Sequence, residues 1–180
     1  IETSCKIIET AKKANLKTRG YVAVAWECPF EGKVQESIVL DIANQMLGAG
    51  VDEIILADTI GAANPSSVSS LFNKCVSEFD HQILSAHFHD TRAMALANVC
   101  AAISEGIRKF DSCIGGLGGC PFAPGAAGNL ATEDLANMLS QMGYVTGVDL
   151  EKLPAIVKYC AEQLQEPVGG RMSAWLAKTS

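Results

Sequence analysis

Four short apolar runs, each followed by a segment of helical period, constrain this chain more than any other feature. The runs are GYVAVAW (20–26), DEIILAD (52–58), QILSAHFHD (82–90) and KFDSCIGG (109–116). VQESIVLDIANQMLGAG (34–50) sets Ile38, Ile42, Met46 and Leu47 on one helical face and ends in glycine, where a left-handed cap is expected. SSVSSLFNKCVSEF (66–79) and TRAMALANVCAAISEG (91–106) fill the next two gaps. ATEDLANMLSQMG (131–143) follows the fourth run, with Thr132 as expected N-cap, Glu133 and Asp134 in the first turn and Gly143 at the exit.

Strand then helix, repeated, implies parallel strands joined by right-handed crossovers. The strands are nearly continuous in apolar residues, as expected when other layers cover both faces. A doubly wound sheet and part of a (β/α)8 barrel both fit this rhythm. The strand ends discriminate between them: ECPFEG, ADTIGAANP, HFHD and GGLGGC carry the unusual chemistry, while the opposite turns are bland. Active residues at the C-terminal end of every strand are the habit of a barrel, whereas an open sheet concentrates them at one switch point. The fold class expected is therefore α/β, the C-terminal half of a (β/α)8 TIM barrel with about four βα units. The whole of 1–180 reads as one partial barrel domain, with βα units over 1–148 and C-terminal helices over 149–180.

Composition removes several function classes. A net charge of −6 without a basic stripe argues against nucleic acid as partner. Seven cysteines, an odd number without a CxxC pair, point to a reducing compartment rather than a disulfide framework. The start IETSCKIIETAKKANLK has neither the apolar core nor the cleavage site of a signal peptide. No apolar run approaches the roughly 20 residues that cross a bilayer. A soluble intracellular protein is expected, cytoplasmic or in a mitochondrial matrix, with no membrane partner.

His87 and His89 sit two apart on a strand, so both rings point to one face and could share a cation; the bland alternative is two unrelated histidines. His81, in the polar FDHQ turn, reads as a surface residue. Asp58 ends the second strand, where a carboxylate could orient a ligand histidine or simply cap a turn. Cys5, Cys75, Cys100, Cys113 and Cys160 read as small core-filling residues, and the role of Cys28 is open. Cys120 stands apart, on a glycine loop at the expected active face. Asn129 closes that loop; its amide oxygen is suited to a hard cation, though capping is the commoner fate of such a residue. Glu133, one turn later, is expected to hold the Asn129 amide.

GGLGGCPFAPGAAGNLATEDL, with HFHDTRAMALAN and RGYVAVAWECPFEGK upstream, resembles the 3-hydroxy-3-methylglutaryl-CoA lyase family. That group belongs to the metal-dependent barrel enzymes that also include isopropylmalate and homocitrate synthases. The likeness runs from about Arg19 to Leu153, and the cysteine-bearing glycine loop is its specific part, since the synthases lack it. The resemblance implies a divalent cation, Mg²⁺ or Mn²⁺, held by His87, His89 and Asn129, with Cys120 as active-site thiol on a mobile loop. It also implies retro-Claisen cleavage of the acyl-CoA substrate to acetyl-CoA and acetoacetate. Cys120 would donate the final proton, His87 would take part in the first transfer, and Asp58 would assist.

One departure is large. The family's fourth ligand and a catalytic arginine lie in an Arg-Asp-Gly segment that this chain lacks, and strands one to four of the barrel have no counterpart. The missing N-terminal half, or another copy of the chain in a homo-oligomer, is the expected partner, and little lyase turnover is expected of these 180 residues alone. The rivals are a related aldolase or Claisen-type enzyme and a non-catalytic half-barrel interaction module.

Overall fold

The computed structural model describes residues 1–119 and 128–179, with only the backbone described over 176–179. Helix α1 (Glu2–Lys13) leads into strand β1 (Arg19–Val22). A small antiparallel hairpin follows, β2 (Glu27–Cys28) paired with β3 (Gly32–Lys33). Then come α2 (Glu36–Gly48), β4 (Glu53–Asp58), α3 (Pro65–Glu78), β5 (Leu84–Phe88), α4 (Ala95–Ser104), β6 (Phe110–Asp111) and α5 (Thr132–Gln141). Helices α6 (Leu153–Leu164) and α7 (Arg171–Thr179) complete the described chain.

β1, β4, β5 and β6 form one parallel sheet in that order. The order runs without reversal, so there is no switch point of the kind a doubly wound sheet requires. Curvature can be read from side chains. Arg19 and Tyr21 on β1 both hydrogen-bond Asp111 on β6, at 2.9 and 2.5 Å, although two strands lie between them. Three strand spacings in a flat sheet amount to about 14 Å, farther than these side chains reach. The sheet therefore curls around the face they share, as an arc of a barrel does.

The two faces differ in chemistry. Ile54, Leu56, Leu84, Ala86 and Phe88 point toward the helices and are buried with Val68, Leu71 and Phe72 of α3 and Val99 of α4. The concave face carries Arg19, Tyr21, Glu53, Ser85, His87 and Asp111, linked by hydrogen bonds and ion pairs. The expectation of strands apolar on both faces holds for β4 but not for β1, where exposed and buried residues alternate.

Local chemistry explains most boundaries. Asn64 and Ser67 form a reciprocal capping box on α3, with Pro65 in its first turn, satisfying two donors a helix start leaves open. Gly50, at φ +93°, makes the expected left-handed exit from α2. The first strand is shorter than its apolar run. At Val24 the backbone turns to φ +50° and donates to Thr59 Oγ1, so the chain leaves the sheet. Trp26 instead inserts between layers, against Phe72 and Phe88, its Nε1 donating to Ser67 O. Thr132 is not the N-cap of α5. Ala131 occupies that position, and the Thr132 hydroxyl lies 2.9 Å from Ser112 Oγ. Of the cysteines read as core-filling, Cys75 is fully buried, whereas Cys5, Cys100, Cys113 and Cys160 are only half-buried.

Candidate metal centre

β5 delivers both histidines. Strand alternation puts His87 on the concave face, and His89 follows just beyond the strand end. Their ring centroids lie 5.2 Å apart. His89 is bridged antiparallel to Asn129, which brings those two side chains side by side. Burial, and then His87, push the His89 imidazole below its ordinary pKa, so at neutral pH it keeps a lone pair available for a cation.

Among the described residues, four buried side-chain polar atoms lack a hydrogen-bond partner: His87 Nδ1, His89 Nδ1, Asn129 Oδ1 and Asn98 Oδ1. Three of the four belong to this cluster. A buried acceptor without a donor is costly, and the Asn129 carboxamide oxygen beside two imidazoles suits a positive ligand, while His87 Nδ1 is the nitrogen turned toward Asp111. The set is two imidazoles and a carboxamide; among the described residues no group of three or more His, Cys, Asp or Glu side chains is gathered to hold a metal. These donors fit a divalent cation, with coordination positions left for water, substrate or groups outside this chain.

The glycine run earns its residues by its contacts with Asn129. Gly116 has φ +67°, and a side chain there would meet Asn129 O at 3.0 Å. Gly118 has φ +97°, and its side chain would meet Asn129 Nδ2 at 2.8 Å. The backbone thus wraps the carboxamide closely, and Leu117 O accepts from Nδ2 at 2.7 Å, which fixes the amide and leaves Oδ1 buried without a partner among the described residues. Cys120 lies outside the described residues.

Glu133 does not hold the Asn129 amide, because Leu117 O already does. Its buried carboxylate instead accepts from Gly115 N (3.0 Å), Gly170 N (2.7 Å) and Ser173 Oγ (2.9 Å), tying the root of the glycine run to the start of α7. Asp134 caps α7 through Arg171 N and Met172 N.

Asp58 meets neither histidine. Its oxygens accept from Ala62 N and Ala63 N at 2.8 and 3.0 Å, the turn role rather than the orienting one. Burial raises its pKa, against those two amide bonds. The turn it braces carries Gly61, where an added side chain would meet His89 O at 3.1 Å, so Asp58 supports the end of β5 from below. Asp90 accepts from Ala95 N and caps the start of α4. His81 is exposed, as expected.

The concave network of Arg19, Tyr21 and Asp111 was missed in sequence. Asp111 Oδ2 lies 3.5 Å from His87 Nδ1, an ion-pair distance without hydrogen-bond alignment. His87, Tyr21 and Arg19 together hold the Asp111 carboxyl well below its ordinary range, against the burial that opposes them. The same network keeps Arg19 firmly protonated, chiefly through its bond to Asp111. The available signal was Asp111 interrupting an apolar run, in register with His87 on the neighbouring strand.

Among the described residues no helix is long and apolar enough to cross a membrane. The chain is 43% identical to a hydroxymethylglutaryl-CoA lyase of Pseudomonas mevalonii over 174 residues, 97% of this chain and 58% of that protein. Its fold matches the crystal structure of the Bacillus subtilis HMG-CoA lyase with a TM-score of 0.91 and 41% identity, over 96% of this chain and 58% of that one. An Acinetobacter baumannii HMG-CoA lyase in complex with coenzyme A and 3-methylmalate matches with a TM-score of 0.90 and 39% identity, over 94% and 55%. The chain thus spans little more than half the length of the relatives it matches, as part of their barrel. Residues 1–159 match the HMGL-like family, and the chain belongs to it.

Proposed function

We propose that this chain forms the metal-binding half of a carbon–carbon lyase that cleaves 3-hydroxy-3-methylglutaryl-CoA to acetyl-CoA and acetoacetate. The observation that carries the reading is the meeting of His87, His89 and Asn129, where among the described residues His89 Nδ1 and Asn129 Oδ1 are buried without a hydrogen-bond partner. The high identity to lyases of that name supports the substrate. These three residues would hold a divalent cation, Mg²⁺ or Mn²⁺, which when bound supplies Lewis acidity at the substrate oxygens.

The remaining chemistry falls to side chains. A base of the completed site takes up the proton of the tertiary hydroxyl while His87 helps hold the substrate there, the C2–C3 bond breaks as the hydroxyl carbon becomes a ketone, and the electron pair passes to the acetyl-CoA enolate. Cys120 protonates that enolate at carbon, giving acetyl-CoA, and acetoacetate is left. Asp58 acts by bracing the turn beneath His89. A cavity of about 370 Å³ beside Asn129, bordered by Asp90, Gly116 and Arg171, offers room for an acyl group. The N-terminal half of a barrel would complete the centre, and the finished enzyme would work in the cytoplasm or in a mitochondrial matrix.

The test is a chimera in which this chain replaces the matching segment of the Pseudomonas mevalonii lyase. With Mg²⁺ or Mn²⁺ the chimera is expected to release acetoacetate from 3-hydroxy-3-methylglutaryl-CoA, to lose that activity in EDTA, and to fall at least roughly 100-fold on Cys120→Ala. The 180 residues alone are expected to show little turnover. A folded chimera that cleaves nothing sinks the proposal.

A further inference from the structure

Resting on the reading of His87 as a cation ligand, we infer that Asp111 is a positioning residue of this centre: its carboxylate fixes the tautomer and tilt of the His87 ring. The two residues are register partners on adjacent parallel strands, which places Asp111 Oδ2 3.5 Å from His87 Nδ1. Asp111 is itself anchored from across the sheet. Tyr21 OH donates to Oδ2 at 2.5 Å and Arg19 donates to Oδ1 at 2.9 Å, while Arg19 also binds Glu53 at 3.0 Å. Tyr21 further packs edge-on against the His87 ring, with centroids 5.9 Å apart.

A neutral imidazole carries one proton, and it can ligate a cation only through the other nitrogen. A fixed carboxylate opposite Nδ1 selects the tautomer protonated there and leaves the Nε2 lone pair free. It also adds electron density to the ligating ring. Among the described residues His89 has no such partner for its Nδ1. The two histidines are therefore unequal, and the difference originates on β1 and β6, outside the histidine motif.

The tautomer is read by ¹⁵N–¹H correlation spectra of histidine-labelled chain at about pH 8, where an ordinary imidazole is neutral. The sequence has only three histidines, and His81→Gln removes the surface one. The expected result is an Nδ1–H tautomer for His87, converted to Nε2–H or a mixture by Asp111→Asn. Mn²⁺ affinity, measured on the chain and on the chimera, is expected to fall roughly 10- to 100-fold in Asp111→Asn and to recover largely in Asp111→Glu. An Nε2–H tautomer in the unmodified chain overturns the inference. So does Asp111→Asn with an unaltered circular dichroism spectrum, an unchanged tautomer and an unchanged Mn²⁺ affinity. Failure of the unmodified protein to bind Mn²⁺ defeats the lyase reading, while the His87 tautomer still decides the role of Asp111. Should Asp111→Asn not fold, Tyr21→Phe releases the carboxylate's anchor instead; a partial tautomer shift supports the inference and none overturns it.

Discussion

At Gly118 two demands meet on one residue. The backbone is left-handed, and the space a side chain would fill is taken by the Asn129 amide. Gly118→Ala must strain the backbone by about 1–2 kcal/mol and push Asn129 aside, and it is expected to weaken Mn²⁺ binding roughly tenfold. Isothermal titration of the variant checks this; an unchanged affinity would mean that Asn129 is not a ligand. The density of glycines was visible in the sequence, but the group they accommodate was not, because it lies eleven residues downstream and is met only in the fold. Glu133 shows the converse error. Its spacing from Asn129 suggested a partner one helical turn away, yet both its oxygens are taken by amides and a hydroxyl of segments distant in sequence.

At the scale of elements, α2 and α3 are joined at the surface by Glu36 and Lys74. Lys74 is the main cause of the lowered Glu36 pKa, which burial partly opposes. A carboxylate depressed in the fold contributes stability that is complete above its unfolded pKa near 4.5 and is lost as pH falls through the folded value. Glu36→Gln is therefore expected to cost less than about 1 kcal/mol at neutral pH, given the exposure of Lys74. In urea denaturation the gap between the two proteins should close as the pH drops below 4.5. A gap that persists there would point to packing rather than charge. Existence and order of the major elements were legible, since the alternation of strand and helix periods needs no tertiary information. Boundaries were not: nothing in GYVAVAW announces that Val24 turns left-handed and sends Trp26 into the helix layer. The hairpin of β2 and β3 escaped notice because two-residue strands carry no period.

For the whole molecule, the sheet ends at β1 on one side and at β6 on the other, and its concave face is charged. Half a cylinder with open edges invites association. The chain alone is expected to elute as more than one species in size-exclusion chromatography with light scattering. Adding the N-terminal half of the Pseudomonas mevalonii lyase should collect it into a single complex with restored turnover. A stable, monodisperse monomer indifferent to that half would argue for the interaction-module alternative. The barrel itself was legible from the decorated strand ends. Its charged concave face was hidden because the lining comes from Arg19, Tyr21, Glu53 and Asp111, which look like ordinary surface residues until the strands stand in register.

Glu133 works as a clasp whose three donors come from both sides of the α5 start, Gly115 before it and Gly170 and Ser173 far beyond. Trimming the polypeptide after residue 169, a routine edit in crystallisation, would strip two of those donors and leave one amide to satisfy a buried anion. Shortening the tail is thus an alteration that reaches the threshold of the glycine run from the far end of the chain.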